Sequence, residues 1–213
     1  YPAALYIRGV LPAPGTIFLC VVGSRATSLY GRRVTQQLIA GLAQYPVAIV
    51  SGMALGIDGE AHKAALDVGL PTVAILPSSL DYESMYPATN KALAMRILAR
   101  GGCLMSEYER PHKAMIYDFA KRNRIAAGMS SAALIVEAGE RSGTLIPARL
   151  ALDYNREVLS VPHELGKESG AGANRLIREG ATLVSTPDDI LQALGLKPLN
   201  APVQAALPTD LTA

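Results

Sequence analysis

Short apolar runs rich in β-branched residues alternate along the chain with longer segments in which apolar residues recur at helical spacing. The apolar runs predict seven strands, at residues 17–22, 47–50, 72–76, 103–105, 132–136, 158–161 and 182–184. The segments between and after them predict helices at residues 31–43, 59–68, 88–99, 118–129, 144–154, 174–179 and 188–194. Strands that are apolar throughout and alternate with helices are typical of a parallel sheet that is buried on both faces.

Because parallel strands are joined by right-handed crossovers, this order predicts an α/β fold: a Rossmann-like, doubly wound, mostly parallel sheet of about seven strands with helices on both faces. Residues 17–194 are expected to form this domain. The proline-rich residues 1–16 predict an extended arm without a domain of its own, and residues 195–213, rich in proline and alanine, predict a tail or linker. Ligands of such sheets bind at the carboxyl ends of the strands.

Composition narrows the classes of function. Half of the 213 residues are hydrophobic, yet no run approaches the roughly 18 apolar residues of a membrane span, and no segment has the pattern of a signal peptide. We therefore expect a cytoplasmic protein that does not associate with a membrane. Cys20 and Cys103 lie in separate apolar runs outside any CxxC or Cys/His cluster, which predicts buried free thiols and no metal site.

The net charge of +2 is too small to indicate a nucleic-acid partner by itself, but the charges are unevenly distributed. No Asp or Glu precedes Asp58, and between Arg110 and Arg124 five Lys or Arg residues accompany a single acid, Asp118. From charge alone, solvated surface and an anion-binding site explain these two acid-poor stretches equally well.

The loop after the first predicted strand, Gly23-Ser24-Arg25, leads into a helix. Backbone N–H groups at a helix N-terminus attract phosphate, and an arginine adds charge-assisted hydrogen bonds. The signal is weak alone, because the loop is not GxGxxG and no acid follows about 20 positions later to hold a ribose.

The second strand ends in a similar turn that contains Ser51 and Gly52. Asp58, at the end of this turn, is expected to cap the next helix by accepting from the amide of Glu60 or Ala61. A metal site at Asp58 and His62 lacks further ligands, so a helix-surface or core histidine is the better interpretation.

The helix predicted at 118–129 carries most of the basic residues of the second acid-poor stretch. At about 100° per residue, Lys121 and Arg124 share one face and are expected to be exposed cations that can meet phosphates. Arg122 lies elsewhere and can pair with Asp118 at i,i+4. The alternative is an ordinary solvated helix face.

A third turn of the same kind, Ser142-Gly143-Thr144, follows the fifth strand, and Ser142 or Thr144 is expected to cap the next helix. Since the carboxyl ends of parallel strands meet at one edge of the sheet, the three turns predict a site with many backbone donors and few acids. A phosphate site is the leading explanation.

Taken in order, these motifs resemble the DNA processing protein A family (DprA, also called Smf). The resemblance covers the chain from its start to about Leu194 and is carried by these residues: Gly23-Ser24-Arg25, Tyr30-Gly31, Ser51-Gly52, Gly56-Ile57-Asp58, Ala61-His62, Tyr86-Pro87, Arg122-Asn123-Arg124-Ile125, Ala127-Gly128, Ser130, Glu137, Ser142-Gly143-Thr144-Leu145-Ile146, Gly172, Asn174, Leu176-Ile177, Gly180-Ala181 and Asp189-Ile190-Leu191.

What the resemblance implies is an extended Rossmann fold that binds single-stranded DNA without cleaving it, uses no cofactor, forms a homodimer and helps load RecA recombinase onto incoming DNA in natural transformation. It also implies the residues of the site. The phosphate-binding residues would be Gly23, Ser24 and Arg25, with Lys121 as the second cation and Arg124 on the same face, and Ser51, Gly52, Ser142, Gly143 and Thr144 would complete the pocket.

The chain departs from the family pattern at three places. His163 stands where we expect glycine, Pro77-Ser78-Ser79 replaces a glycine-bearing loop, and residues 109–112 alter the approach to the basic helix. The first two are expected to be loop variation. The third is expected to affect which nucleotides are contacted, because this loop leads to Lys121.

Two other functions stay open. Nucleoside-monophosphate phosphoribohydrolases have a related fold and a similar turn with a nearby catalytic glutamate. Here Leu145, Ile146 and Pro147 follow the turn, so a downstream carboxylate is missing, and Glu137 at a strand end is more typical of a hydrogen-bond anchor. A nucleotide-sensing or interaction domain is the other alternative.

Overall fold

The computed structural model describes residues 2–109, 111–140 and 142–199. Their strands are β1 (Tyr6–Gly9), β2 (Ile17–Gly23), β3 (Val47–Ser51), β4 (Thr72–Ile75), β5 (Cys103–Ser106), β6 (Ala132–Glu137), β7 (Glu157–Ser160) and β8 (Thr182–Leu183). The α-helices are α1 (Leu29–Ala40), α2 (Ile57–Asp67), α3 (Lys91–Ala99), α4 (Ile116–Met129), α5 (Leu145–Asp153), α6 (Ala171–Arg178) and α7 (Pro187–Ala193). Short 3-10 helices, Ala88–Asn90 and Glu168–Gly170, precede α3 and α6.

The described strands form one eight-stranded sheet in the order β1-β5-β4-β3-β2-β6-β7-β8. Every neighbouring pair is parallel except β1 with β5. The chain moves outward from β2 to β5 and then returns to place β6 on the other side of β2. This doubly wound order confirms the predicted fold class and creates a topological switch point between β2 and β6.

All seven predicted strands are present, and the eighth, β1, lies within the segment predicted as an extended arm. It pairs antiparallel with β5, with Tyr6 opposite Ser106 and Gly9 opposite Cys103. A four-residue strand that contains Arg8 and Gly9 gives no apolar run, and its partner lies about one hundred residues away in the sequence. The residues of β1 and their sequence neighbours therefore give no pattern that predicts this strand.

Helices cover both faces of the sheet because successive strand residues point to opposite sides. In β2, Leu19 and Val21 pack on the face covered by α1, α2 and α7, whereas Cys20 and Val22 pack on the face of α4, α5 and α6. The helix α3 extends the first of these layers with Leu93, Ala94 and Ile97. Cys20 and Cys103 are buried free thiols, as predicted.

The first residues of the predicted tail contact the domain. Leu196 packs against the core layer of α1 and α7, and the Leu199 amide donates to the Tyr45 hydroxyl at 2.8 Å. Residues 200–213 lie outside the described part of the chain, so the linker remains a prediction there. Among the described helices, none combines the length and the apolar character needed to cross a membrane.

His62 of α2 is a core histidine, which is one of the two interpretations that the sequence left open. Its side chain is fully buried, and its Nδ1 lies 2.7 Å from Thr72 Oγ1 in β4. The Thr72 hydroxyl also lies 3.0 Å from the Ile49 carbonyl, so the two side chains link α2 to strands β3 and β4. Burial, helped by the positive charge of Arg122, lowers the pKa of His62 to about 3.

We predict that His62 makes the fold acid-sensitive. Between the unfolded pKa of about 6.5 and the folded value of about 3, the unfolded chain binds a proton that the folded protein excludes. The free energy of unfolding should therefore fall as the pH drops below about 6.5, by about 2 kcal/mol from this group at about pH 5. Urea unfolding across this range, for the parent chain and for His62→Gln, isolates the effect, because the variant should lack this part of the pH dependence. Identical pH profiles would contradict the prediction.

Candidate functional site

A cavity with a volume of about 610 Å³ lies at the carboxyl edge of the sheet beside the switch point. It is bounded by the loop after β2, by the loop before α5 and by one side of α4. The residues that line it are Val22, Gly23, Ser24, Arg25, Ala26, Ala54, Asp58, Ile116, Tyr117, Phe119, Ala120, Arg122, Asn123, Ser142, Gly143, Thr144, Ile146 and Pro147.

The loop after β2 is held by the neighbouring strand β6. The Ser24 amide donates to the Glu137 carbonyl at 2.8 Å, and the Ser28 amide donates to Glu137 Oε2 at 2.9 Å. Ser28 caps α1, since its hydroxyl accepts from the Gly31 amide at 3.0 Å. With both ends of the loop fixed, Arg25 is left exposed at the mouth of the cavity.

Glu137 has the anchoring position that its place at a strand end suggested. Its side chain is fully buried, and Oε2 also accepts from the Thr27 hydroxyl at 3.3 Å. A Cβ on Gly31 would lie 2.4 Å from this oxygen, so the carboxylate is closely covered by the start of α1. The other oxygen, Oε1, is buried without a hydrogen-bond partner among the described residues. Glu137 thus supports the loop from below and does not line the cavity.

The turn after β3 lies behind this loop. Ser51 is buried, and its hydroxyl donates to the Val21 carbonyl at 2.7 Å, so it supports the site from within the sheet. Gly52 borders a smaller cavity that it shares with Arg25. The Ile57 amide donates to the Ser24 carbonyl at 3.1 Å, which joins the two loops.

Asp58 does not cap α2, and this prediction was wrong. The helix begins at Ile57 with Gly56 as its N-cap residue, so Asp58 lies inside the first turn and is buried. Its carboxylate turns back toward the preceding loop and accepts from the Gly52 amide at 3.2 Å and from the backbone of Ala54. It therefore holds the β3 turn.

The same carboxylate pairs with Arg122 of α4, so the predicted pair between Arg122 and Asp118 was also wrong. Arg122 Nη1 lies 3.8 Å from Asp58 Oδ2, and both side chains are almost completely buried. A Cβ on Gly52 would lie 1.1 Å from Arg122 Nη1, so only glycine leaves room for this pair. Burial raises the pKa of the Asp58 carboxyl, and the positive charge of Arg122 opposes this shift.

Asp118, the expected partner of Arg122, binds instead to the segment that precedes α4. It accepts from the Tyr108 hydroxyl, from the Met115 amide at 2.8 Å and from His112 Nε2 at 2.7 Å. Burial acts to raise the pKa of this carboxyl, but the hydrogen bonds outweigh burial and the pKa is lowered. Asp118 therefore fixes the start of α4.

Lys121 and Arg124, the two cations predicted on α4, differ in their surroundings. Lys121 is exposed, with Nζ 5.4 Å from the centre of the Tyr108 ring. Arg124 Nη2 contacts Glu107 Oε1 in an ion pair, so the expectation that Arg124 is an exposed cation was wrong. Among the described residues, neither lines the 610 Å³ cavity, and Lys121 borders a small cleft next to it.

The third predicted turn does reach the cavity. Ser142 Oγ accepts from the Thr144 amide at 3.1 Å and donates to Thr144 Oγ1 at 2.9 Å, and Ser142, Gly143 and Thr144 all line the cavity wall. Thr144 is the N-cap residue of α5, although its side chain makes no capping bond. The structure therefore brings Gly23, Ser24 and Arg25 together with this turn, as the sequence predicted.

Aromatic residues that the sequence analysis did not assign to the site hold Arg25 in place. The Arg25 guanidinium lies 4.9 Å from the centre of the Phe119 ring, which packs edge-on against Tyr86. Tyr30 has a packing role as well, because its hydroxyl donates to the Pro162 carbonyl and its ring contacts His163. The ion pair between Asp58 and Arg122 was not predicted either, because it joins two parts of the chain that are distant in sequence.

The residues at which the chain departs from the family pattern form hydrogen bonds within the fold. The His112 amide donates to Ser79 Oγ at 2.8 Å, and the Ser79 amide donates to the His112 carbonyl at 3.1 Å, so the loops at 77–79 and 109–112 bind each other. His163 Nε2 donates to the Val136 carbonyl at 2.8 Å. Arg110 lies outside the described residues.

Comparison with known proteins places this sequence in a family. The family model described as DNA recombination-mediator protein A matches residues 1–195. Protein Smf of Escherichia coli strain K12 is 43% identical over 194 residues, which cover 91% of this chain and 51% of that protein.

Two solved structures share the fold. The X-ray structure of DNA processing protein A from Streptococcus pneumoniae has a TM-score of 0.83 at 35% identity and covers 90% of this chain and 66% of that one. The structure of DNA processing protein A from Helicobacter pylori, reported for its single-stranded DNA binding mode, has a TM-score of 0.79 at 29% identity and covers 91% and 87%.

The chain spans about half the length of Protein Smf. The family match nevertheless extends over the whole sheet and over every loop that borders the cavity. The chain belongs to the DNA recombination-mediator protein A family.

Proposed function

We propose that this protein binds single-stranded DNA through backbone phosphates at the 610 Å³ cavity, without cleaving the strand. The observation that carries the proposal is the charge of the cavity. Among its described lining residues, the one acid, Asp58, is already paired with Arg122, whereas Arg25 is exposed at the mouth. The charged group that remains available to a ligand is therefore the cation Arg25, which favours an anion.

The remaining groups of the wall suit phosphate oxygens. The hydroxyls of Ser24 and Thr144 and the exposed backbone at Gly143 lie in loops that lead into helices. Gly143 and Thr144 directly precede α5, where backbone dipoles favour negative charge. Arg25 supplies a planar group for charge-assisted hydrogen bonds. The volume exceeds what one phosphate needs, which suits a nucleotide within a longer strand.

Family membership gives the ligand its chemical class. The related Helicobacter pylori protein is described by its binding of single-stranded DNA, and the present chain resembles it over 91% of its length. We assign the phosphate contacts to Gly23, Ser24, Arg25, Ser142, Gly143 and Thr144, with Lys121 as a further cation. Ser51 and Gly52 position the loops from behind.

We propose no catalytic turnover. Asp58 is engaged in its ion pair, and Glu137 is enclosed beneath α1, so both are already bound to other groups of the fold. Cleavage of a glycosidic bond needs a carboxylate that can reach the substrate. Incubation with nucleoside 5′-monophosphates should release no free base, and release would support the phosphoribohydrolase alternative.

Family membership supports a proposal for the cellular role. We propose that the protein protects incoming single strands during natural transformation, that it acts in the cytoplasm as a homodimer, and that it helps to load RecA recombinase. Stimulation of RecA filament formation on protected DNA tests the last of these steps.

We predict that Arg25→Ala weakens binding to single strands of every sequence by a similar factor, roughly tenfold, because a backbone contact carries no base information. The slope of log affinity against log salt should decrease in magnitude by about 0.7, as expected for one phosphate contact. Arg33→Ala is the matched control, since Arg33 is exposed on α1 and belongs neither to the lining of the 610 Å³ cavity nor to that of the smaller cavities beside it. Fluorescence anisotropy with homopolymeric oligonucleotides measures both quantities. Unchanged affinity in Arg25→Ala would refute the proposed site.

We predict that the two cations of α4 differ in their effect on binding. Lys121→Gln should weaken binding severalfold and reduce the salt slope, because Lys121 is exposed. Arg124→Gln should change affinity less, because the charge that it removes is already neutralised by Glu107. The same anisotropy titrations decide between them, and a larger loss for Arg124→Gln would show that the ion pair opens on binding.

A further inference from the structure

A second cavity, with a volume of about 340 Å³, lies next to the first, between the start of α5 and α6. None of the predicted site residues except Ser142 belongs to it. It is lined by Glu140, Ser142, Leu145, Ile146, Arg149 and Arg175.

Arginines dominate the charge of this cavity. Arg149 is exposed on α5, and Arg175 of α6 is half-buried with 26% of its side chain exposed. Arg175 Nε forms an i,i+4 ion pair with Glu179 Oε1 at 3.6 Å, and it makes no hydrogen bond with a described residue. Because 60% of the Glu179 side chain is exposed, solvent weakens this pair. The acid of the lining, Glu140, is exposed, so two cations accompany one carboxylate.

The two cavities share part of their wall. Ser142 and Ile146 line both of them, so the small turn before α5 forms the boundary that a ligand would cross. A strand that leaves Arg25 and passes over Ser142 would next meet Arg149 and Arg175. The exposed edge of Ile146 offers an apolar surface for a sugar or a base on this path.

We propose that the second cavity binds further phosphates of the same single strand, with Arg149 and Arg175 as the contacting residues. This inference rests on the proposed function, since it extends the DNA path from the first cavity. The partly exposed Arg175 guanidinium would gain charge-assisted hydrogen bonds, and the strand would be directed over the N-terminus of α5, where the helix dipole favours negative charge.

The test uses the whole chain, the variant Arg149→Gln, and the double variant Arg149→Gln/Arg175→Gln. Oligothymidylates of about 4 to about 16 nucleotides serve as probes. If the inference is correct, the double variant binds the longer probes roughly tenfold more weakly, and its salt slope is smaller in magnitude by about 1.4, as for two phosphates. Its affinity for the shortest probe should remain close to that of the parent.

The control is Arg156→Gln/Arg178→Gln, which removes the same charge from exposed positions after α5 and at the end of α6. This pair should leave the salt slope nearly unchanged. If loss of Arg175 disturbs folding, the single variant Arg149→Gln still tests the inference. It should reduce the magnitude of the salt slope by about 0.7.

The outcomes separate the two proposals. Normal binding by Arg25→Ala would overturn the proposed function. Weak binding by Arg25→Ala together with parental binding of long probes by the double variant would overturn the second cavity alone. Equal losses in the double variant and its control would also overturn it, because the effect would then reflect overall charge.

Discussion

The buried ion pair between Asp58 and Arg122 is the interaction on which the rest of the site depends. It joins α2 and α4, whose cores pack on opposite faces of the sheet, across the edge where the strands end. Removing one partner would leave an uncompensated buried charge and would lower the free energy of unfolding by about 3 to 5 kcal/mol. Asp58 fixes the amide of Gly52, whose missing side chain makes room for Arg122. The first amide of α2 then holds Ser24, and through it the loop that presents Arg25.

Strand order supplies the other half of the site. Because β6 returns beside β2, Gly23 and Glu137 lie opposite each other, and the loops that follow them become neighbours. Glu137 then accepts two backbone hydrogen bonds from this loop. Its carbonyl accepts from the Ser24 amide, and its carboxylate accepts from the Ser28 amide. Asp58 and Glu137 are bound to other groups of the fold at this edge, whereas Arg25 is exposed. A protein with a net charge of only +2 can in this way expose a cation beside acids that are already engaged.

The sheet and the convergence of its loops could be predicted because both depend on short-range pattern: apolar runs give strands, and parallel strands place their carboxyl ends at one edge. The strand β1 could not be predicted, since its stability comes from pairing with a distant strand. The ion pairs of α4 could not be predicted for the same reason, because their partners lie outside the helix. Periodicity tests contacts within a helix, such as Asp118 with Arg122, but the actual partner of Arg122 is 64 positions away in the sequence, at Asp58. Glu107, the partner of Arg124, precedes α4 altogether.

Charge pattern along the sequence is for the same reason an incomplete guide to charge on the surface. In the acid-poor stretch before and within α4, Arg122 is buried and Arg124 is paired with Glu107. Of the two cations that the pattern predicted to be exposed, Lys121 and Arg124, the fold therefore leaves Lys121 exposed. Arg149 and Arg175 lie among neighbouring acids in the sequence and attract no attention there, yet folding places them at one cavity. What decides the path of an anion is which acids the fold has already engaged, because an engaged carboxylate no longer repels a phosphate as an isolated one would.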